Sequence, residues 1–255
     1  EFIDAHKKYS NKVIFGGGAW RWANFVPNIT RNLKPSVYAL QSCFEKEVKN
    51  VFVTLWGDDA NESSMFCSWN IVQLYAEYNF RGDNWENEIS QRFKTCTGGI
   101  WEDFLKLELP NLYNGYPSAD PCKYLFYQDP LLGLFDKHVP EKSKEIYSDL
   151  AKEFFACAKR NSKYDYMFKN IAVLCQVLSI KASLGVDIKN AYDNKDNTKL
   201  SEIANIVLPQ LITYTEQFSK SFAKQWITEN KIFGYQTMDM RIGSVINRLK
   251  STENR

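Results

Sequence analysis

Histidine is nearly absent: the 255 residues hold two, His6 and His138, and neither has a partner motif beside it. The six cysteines, Cys43, Cys67, Cys96, Cys122, Cys157 and Cys175, form no CxxC pair. Zinc sites and redox dithiols are therefore not expected. Most of these cysteines lie among apolar neighbours in helical runs and read as buried free thiols of a reducing compartment. Charge of one sign is also lacking, since 32 basic residues are interspersed with 30 acidic ones. That pattern offers no basic stripe to phosphates and excludes nucleic acid as the expected partner. No uninterrupted apolar run reaches about 18 residues, so no membrane partner is expected either. Secretory signal features are missing. The chain opens on Glu1-Phe2-Ile3 without a methionine, as if inside a helix, and the expectation is a piece of a longer, cytoplasmic protein.

What is present is apolar mass, 44% hydrophobic and 15% aromatic residues, enough for one or two domains. The most informative stretch is Val51 to Ser64, VFVTLWGDDANESS. Its first five residues are β-branched or large and apolar, as in a parallel strand buried on both faces. Trp56, Asp58, Asp59, Asn61 and Glu62 then crowd the expected strand end. Ser63 and Ser64 offer helix caps to the amphipathic run through Phe80. A similar strand, Val13-Ile14-Phe15, ends at Gly16-Gly17-Gly18, where the glycines are expected to let the chain turn sharply. Ala19-Trp20-Arg21-Trp22 follow on the loop. Pro35 suits the first turn of a helix through Lys49. The order strand, helix, strand, helix predicts a parallel pair with a right-handed crossover.

Beyond residue 80 strand signals nearly vanish. Helices are expected over 85–96, 100–107, 141–160, 164–184, 187–194, 198–228 (with Pro209 as a kink) and 239–251, with an irregular apolar stretch at 123–139. The reading is an α/β piece, residues 1–80, followed by an all-α domain, residues 81–255. The helical part carries a surplus of aromatic residues, Phe154, Phe155, Phe218, Phe222 and Trp226 among them, which suggests a symmetric subunit contact and a homodimer.

Trp20, Trp22 and Trp56 all fall just past strand ends. A tryptophan face there suits the apolar face of a pyranose ring, or else plugs the rim as core. Asp58, two residues after Trp56, either accepts hydrogen bonds from sugar hydroxyls or caps backbone N–H groups of its own loop. Glu62 is either a ligand or a charge at a helix N-terminus. The acidic cluster lacks the alternating spacing and central glycine of an EF-hand. The triple glycine lacks the companions of a P-loop or dinucleotide site. Neither a metal nor a cofactor is expected.

Four segments, VIFGGGAWRWANFVPN, VFVTLWGDDANESSMF, YLFYQDPLLGLFD and KQWITENKIFGYQTMDMRIGSVINRL, resemble glycoside hydrolase family 20 in order along the chain. The likeness is to its β-N-acetylhexosaminidase-like subgroup with a C-terminal helical domain. It implies the last two βα units of a (β/α)8 TIM barrel followed by that domain. It implies an exo-acting enzyme that removes terminal β-linked N-acetylglucosamine or N-acetylgalactosamine from small glycosides. The implied mechanism retains configuration, with the substrate's own acetamido group as nucleophile. The adjacent Asp-Glu pair of that chemistry has no match here: Glu102-Asp103 is reversed and helical, so the catalytic residues are expected upstream. The resemblance places Trp56 and Asp58 in the Trp-x-carboxylate element of the pocket, with Asp standing where many members have Glu. It gives Trp20 or Trp22 the second pocket tryptophan. The alternatives are a carbohydrate-binding protein without chemistry and a helical interaction or scaffold protein.

Overall fold

The computed structural model describes residues 1–21, 24–57, 62–112 and 120–254. By contact the chain groups into two units. One holds Glu1–Trp22 and Pro27–Glu108, and the other holds Ala23–Val26 and Leu109–Arg255.

The first unit opens with a short helix α1, Phe2–Lys7, and is built on strand β1, Ile14–Trp20, helix α2, Ile29–Glu45, and strand β2, Asn50–Trp56. The strands pair in parallel, in register from Ile14 opposite Asn50 to Trp20 opposite Trp56. The strand–helix–strand order of the sequence thus holds, but three local expectations do not.

β1 runs through the glycines instead of stopping at them. None of Gly16, Gly17 and Gly18 has a positive φ, so they do not turn the chain. They serve close approach instead. A Cβ on Gly17 would lie 1.8 Å from the Tyr75 hydroxyl oxygen, and one on Gly16 would lie 2.7 Å from the Phe52 ring. Trp20 is therefore the last strand residue, not a loop residue. The Gly17→Ala variant should lose about 1–3 kcal/mol of stability through this overlap, read as a lower melting temperature. An unchanged melting temperature would show that Tyr75 does not lie on Gly17.

The sheet is also not buried on both faces. Phe15, Ala19 and Val53 pack on Leu40, Ile71, Leu74, Tyr75 and Tyr78. The opposite face, which alternation assigns to Phe52 and Trp56, is open: they are 54% and 46% exposed.

Finally, α2 starts at Ile29, leaving Pro35 inside it. The start is supported from far along the chain. The Glu108 carboxylate accepts the Thr30 backbone N–H at 2.7 Å and also the Thr30 hydroxyl. Such a cap satisfies orphan helix donors but leaves no local sequence signal.

A 3₁₀ turn, Met65–Ser68, is capped by Ser64, whose hydroxyl accepts the Phe66 N–H at 3.1 Å. It leads into α3, Trp69–Arg81, which is followed by α4, Ile89–Thr97, and α5, Trp101–Leu105. Glu77 of α3 is wholly buried and meets Arg92 Nε of α4 at 2.6 Å, tying the two helices together.

The second unit is helical among the described residues: α6, Pro121–Tyr127, α7, Ser143–Arg160, α8, Asp165–Asp193, α9, Asn197–Glu202, α10, Leu208–Glu229, and α11, Tyr235–Glu253. α8 is one continuous helix where two were expected. Its Gly185 does not break it, because the missing Cβ makes room for the Asp136 carboxylate and the Pro130 carbonyl, each 3.0 Å from where a Cβ would stand. By length and composition α8 could cross a bilayer, yet it is the core helix of this unit, packed between α7 and α10. Ahead of Pro209 the chain forms a π-helical turn, Ile203–Val207, which separates α9 from α10. Phe25 joins this unit's core, edge-on to Phe126 and Phe218 at 5.4 Å each. All six cysteines are free, and Cys96 alone among them is exposed.

Candidate functional site

The parallel register brings Trp20 and Trp56 side by side at the carboxyl ends of β1 and β2. Their shared parity puts both indoles on the open face of the sheet. Each is fixed by a different device. Asn32, 4% exposed in α2, accepts the Trp20 backbone N–H at 2.8 Å and donates its amide to the Trp20 carbonyl at 2.9 Å. The Trp20 indole in turn lies over Gly18, where a Cβ would stand 2.3 Å from Nε1. The Trp56 indole N–H donates to the Thr54 hydroxyl, which donates to the Gly17 carbonyl at 3.0 Å. The second glycine of the run is thus also an acceptor in the chain that orients Trp56.

Arg21 closes the strand ends. Its backbone N–H donates to the Trp56 carbonyl at 3.0 Å, and its Nη1 donates to the Ser63 carbonyl at 2.8 Å. The Ser63 hydroxyl donates back to the Arg21 carbonyl. Ser63 is therefore half of a clamp and not the helix cap expected of it. The guanidinium lies so close to Gly57 that a Cβ there would be 2.2 Å from Nη2. A side chain in place of Gly57 would displace the Arg21 guanidinium from this position.

Glu62 is enclosed, at 1% exposure, just ahead of the capped turn. Trp22 and Asp58 lie outside the described residues, as do Asp59 and Asn61. Behind the sheet, burial pushes the Tyr75 hydroxyl pKa up, opposed by a 3.5 Å hydrogen bond to Ser36. Sequence reasoning missed Arg21, Asn32 and Thr54. Their roles depend on partners 37 or 42 residues away, or 12 in the case of Asn32, and alternation alone could have flagged only Thr54.

An aromatic pair at the ends of parallel strands, joined in sequence to a helical unit, is an arrangement suited to sugars, and the helical part identifies the class as glycoside hydrolase. The model of the glycoside hydrolase 20C C-terminal domain matches residues 102–255, more than half of the chain. The chain belongs to glycoside hydrolase family 20. No curated protein matches it.

Proposed function

We propose that this chain supplies the last two βα units of a (β/α)8 barrel and the helical domain of an exo-acting β-N-acetylhexosaminidase. The observation that carries this reading is the pairing of Trp20 with Trp56 at the carboxyl ends of parallel strands, on a face left open. In an α/β barrel those ends are where substrate is held. The division into a barrel piece, residues 1–80, and a helical domain, residues 81–255, belongs to the same proposal; by contact the first unit extends to Glu108.

The substrate is a small glycoside with a terminal β-linked N-acetylhexosamine. Its acetamido oxygen attacks C1, and the enzyme retains configuration. Trp20 and Trp56 give the flat walls on which the C–H face of the ring rests. Asp58 accepts hydrogen bonds from ring hydroxyls, and Trp22 adds to the aromatic wall. Glu62 is enclosed at the entry to a helix, which favours its reading as a charge serving the helix N-terminus. The chain contains no Asp-Glu dipeptide. The acetamido-orienting and acid/base residues therefore come from barrel strands outside these residues. No cofactor, nucleic acid or membrane takes part, and the protein is a cytoplasmic homodimer. The missing dipeptide equally favours one rival reading, a carbohydrate-binding protein without chemistry.

A fluorogenic β-N-acetylglucosaminide separates them. The 255-residue chain alone should show no turnover, and a complete barrel containing it should turn the substrate over. Turnover by the chain alone would place the catalytic pair among its own acidic residues, and an inactive complete barrel would leave the binding-protein reading standing.

A further inference from the structure

The carboxylate of Glu108 is enclosed, at 8% exposure, and both of its oxygens go to one residue. Oε2 accepts the Thr30 backbone N–H at 2.7 Å, and Oε1 accepts the Thr30 hydroxyl. Enclosing a carboxylate is unfavourable unless it is well bonded, and here the positive end of α2 is the charge it meets. A neutral side chain at the N-cap would satisfy the same backbone donor. Asn28 occupies that position and makes no side-chain cap.

The first turn of α2 also carries Asn32. Its Nδ2 donates to the Asn28 carbonyl at 2.7 Å and to the Trp20 carbonyl at 2.9 Å, while its Oδ1 accepts the Trp20 N–H at 2.8 Å. One side chain of α2 thus holds both main-chain polar groups of Trp20, whose indole lies over Gly18. The place of the indole follows the place of the turn, and the turn is tied to Glu108. The family match includes Glu108 in the C-terminal domain, although by contact it belongs to the first unit.

We propose that Glu108 is a positioning residue for the sugar pocket. It fixes the first turn of α2, and through that turn Asn32 sets the Trp20 indole. The inference rests on the reading of Trp20 as a pocket wall, and it gives the C-terminal domain a residue that acts in substrate recognition. Without Glu108 the indole remains but is misplaced. A misplaced wall weakens substrate binding and raises KM, whereas a partly unfolded enzyme lowers kcat and leaves KM alone.

In the complete enzyme, Glu108→Ala should raise KM for a fluorogenic β-N-acetylglucosaminide about 10-fold, with kcat changed by less than about twofold. Glu108→Gln keeps an acceptor for the Thr30 N–H and offers its amide to the Thr30 hydroxyl, which then accepts, so it should return KM to the wild-type value. Asn32→Ala should raise KM as Glu108→Ala does, and the two together should add little to either alone, because both act on one ring. NMR of the enzyme with isotope-labelled tryptophan follows Trp20 itself, its signals assigned by Trp20→Phe. The Trp20 indole and backbone signals should shift in Glu108→Ala and return in Glu108→Gln, while those of Trp226 stay in place. Trp20 signals that do not move in Glu108→Ala, a fall in kcat with KM held, or a Glu108→Gln variant that behaves like Glu108→Ala overturns the proposal. Moved signals together with wild-type kinetics in Trp20→Ala would instead overturn the reading of Trp20 as a pocket wall, leaving the hold of Glu108 on Trp20 established by the spectra.

Discussion

Between pH 7 and pH 9 the wild-type chain should gain about 2 kcal/mol of stability relative to its Lys181→Met variant. Lys181 is 2% exposed in the middle of α8. Its amine donates to the Gln128 and Leu125 carbonyls at 2.6 and 3.4 Å, at the C-terminal end of α6. That is where a helix favours a cation. Burial nonetheless dominates and pushes the Lys181 pKa down from 10.5 to about 7, with the Asp129 charge opposing it. The folded pKa therefore lies below the unfolded one. Below about pH 7 both states hold the proton, and the folded state bears the full penalty of a buried ammonium. From about 7 to 10.5 the unfolded chain holds a proton that the folded chain does not, so stability rises with pH, by about 1.4 kcal/mol per unit at most.

The direction is the same as that of a buried, ion-paired carboxylate, whose stabilisation is also lost as pH falls, but the window lies between about 7 and 10.5 and not in the acid range. Methionine keeps the apolar stem and removes the titration, while leaving the two carbonyls without their donor, a loss of about 1–3 kcal/mol each. That loss is the same at every pH, and other titrating groups cancel in the comparison. Urea unfolding of both chains at pH 6.5, 7.5 and 9 measures the difference. Parallel pH profiles would show that Lys181 does not titrate in this range.

Trp56→Ala in the complete enzyme should lower kcat/KM by about 10- to 100-fold, the equivalent of about 1–3 kcal/mol of transition-state binding. In this chain the indole is 46% exposed on the open sheet face, so little of its own core packing is lost with the ring. The orientation of the ring can be tested separately. Thr54→Val removes the acceptor of the indole N–H and the donor to Gly17 while keeping the branched shape. It should lower kcat/KM less than Trp56→Ala, and it should add nothing in the Trp56→Ala background, because both act on one ring. Wild-type kinetics for Trp56→Ala on a β-N-acetylglucosaminide would remove Trp56 from the pocket wall.

Most of what was legible in the sequence was local and periodic. Val51–Leu55 is apolar and β-branched, and the strand forms there. The pattern through Phe80 is amphipathic, and α3 forms there. Pro209 was expected to interrupt a long helix, and the helix is interrupted, although the break takes the shape of a π turn. The glycine run is ambiguous in sequence for a definite reason. Three glycines serve a turn or a close approach equally well, and only the positions of Phe52, Tyr75 and Trp20 distinguish the two uses. The same holds for α2, whose start depends on Glu108, and for α8, where Gly185 is tolerated because Asp136 and Pro130 occupy the space a side chain would need.

The sequence by itself determined which segments could be strands and helices and which residue types crowd the strand ends, because alternation and helical periodicity are written in neighbouring residues. It also marked the family, through four ordered segments. Only the tertiary structure decided that Trp20 stands beside Trp56, that Arg21 and Ser63 hold the strand ends together over Gly57, and that Lys181 is enclosed against the end of α6. These depend on register, on missing Cβ atoms and on carbonyls tens of residues away, and no local pattern records them.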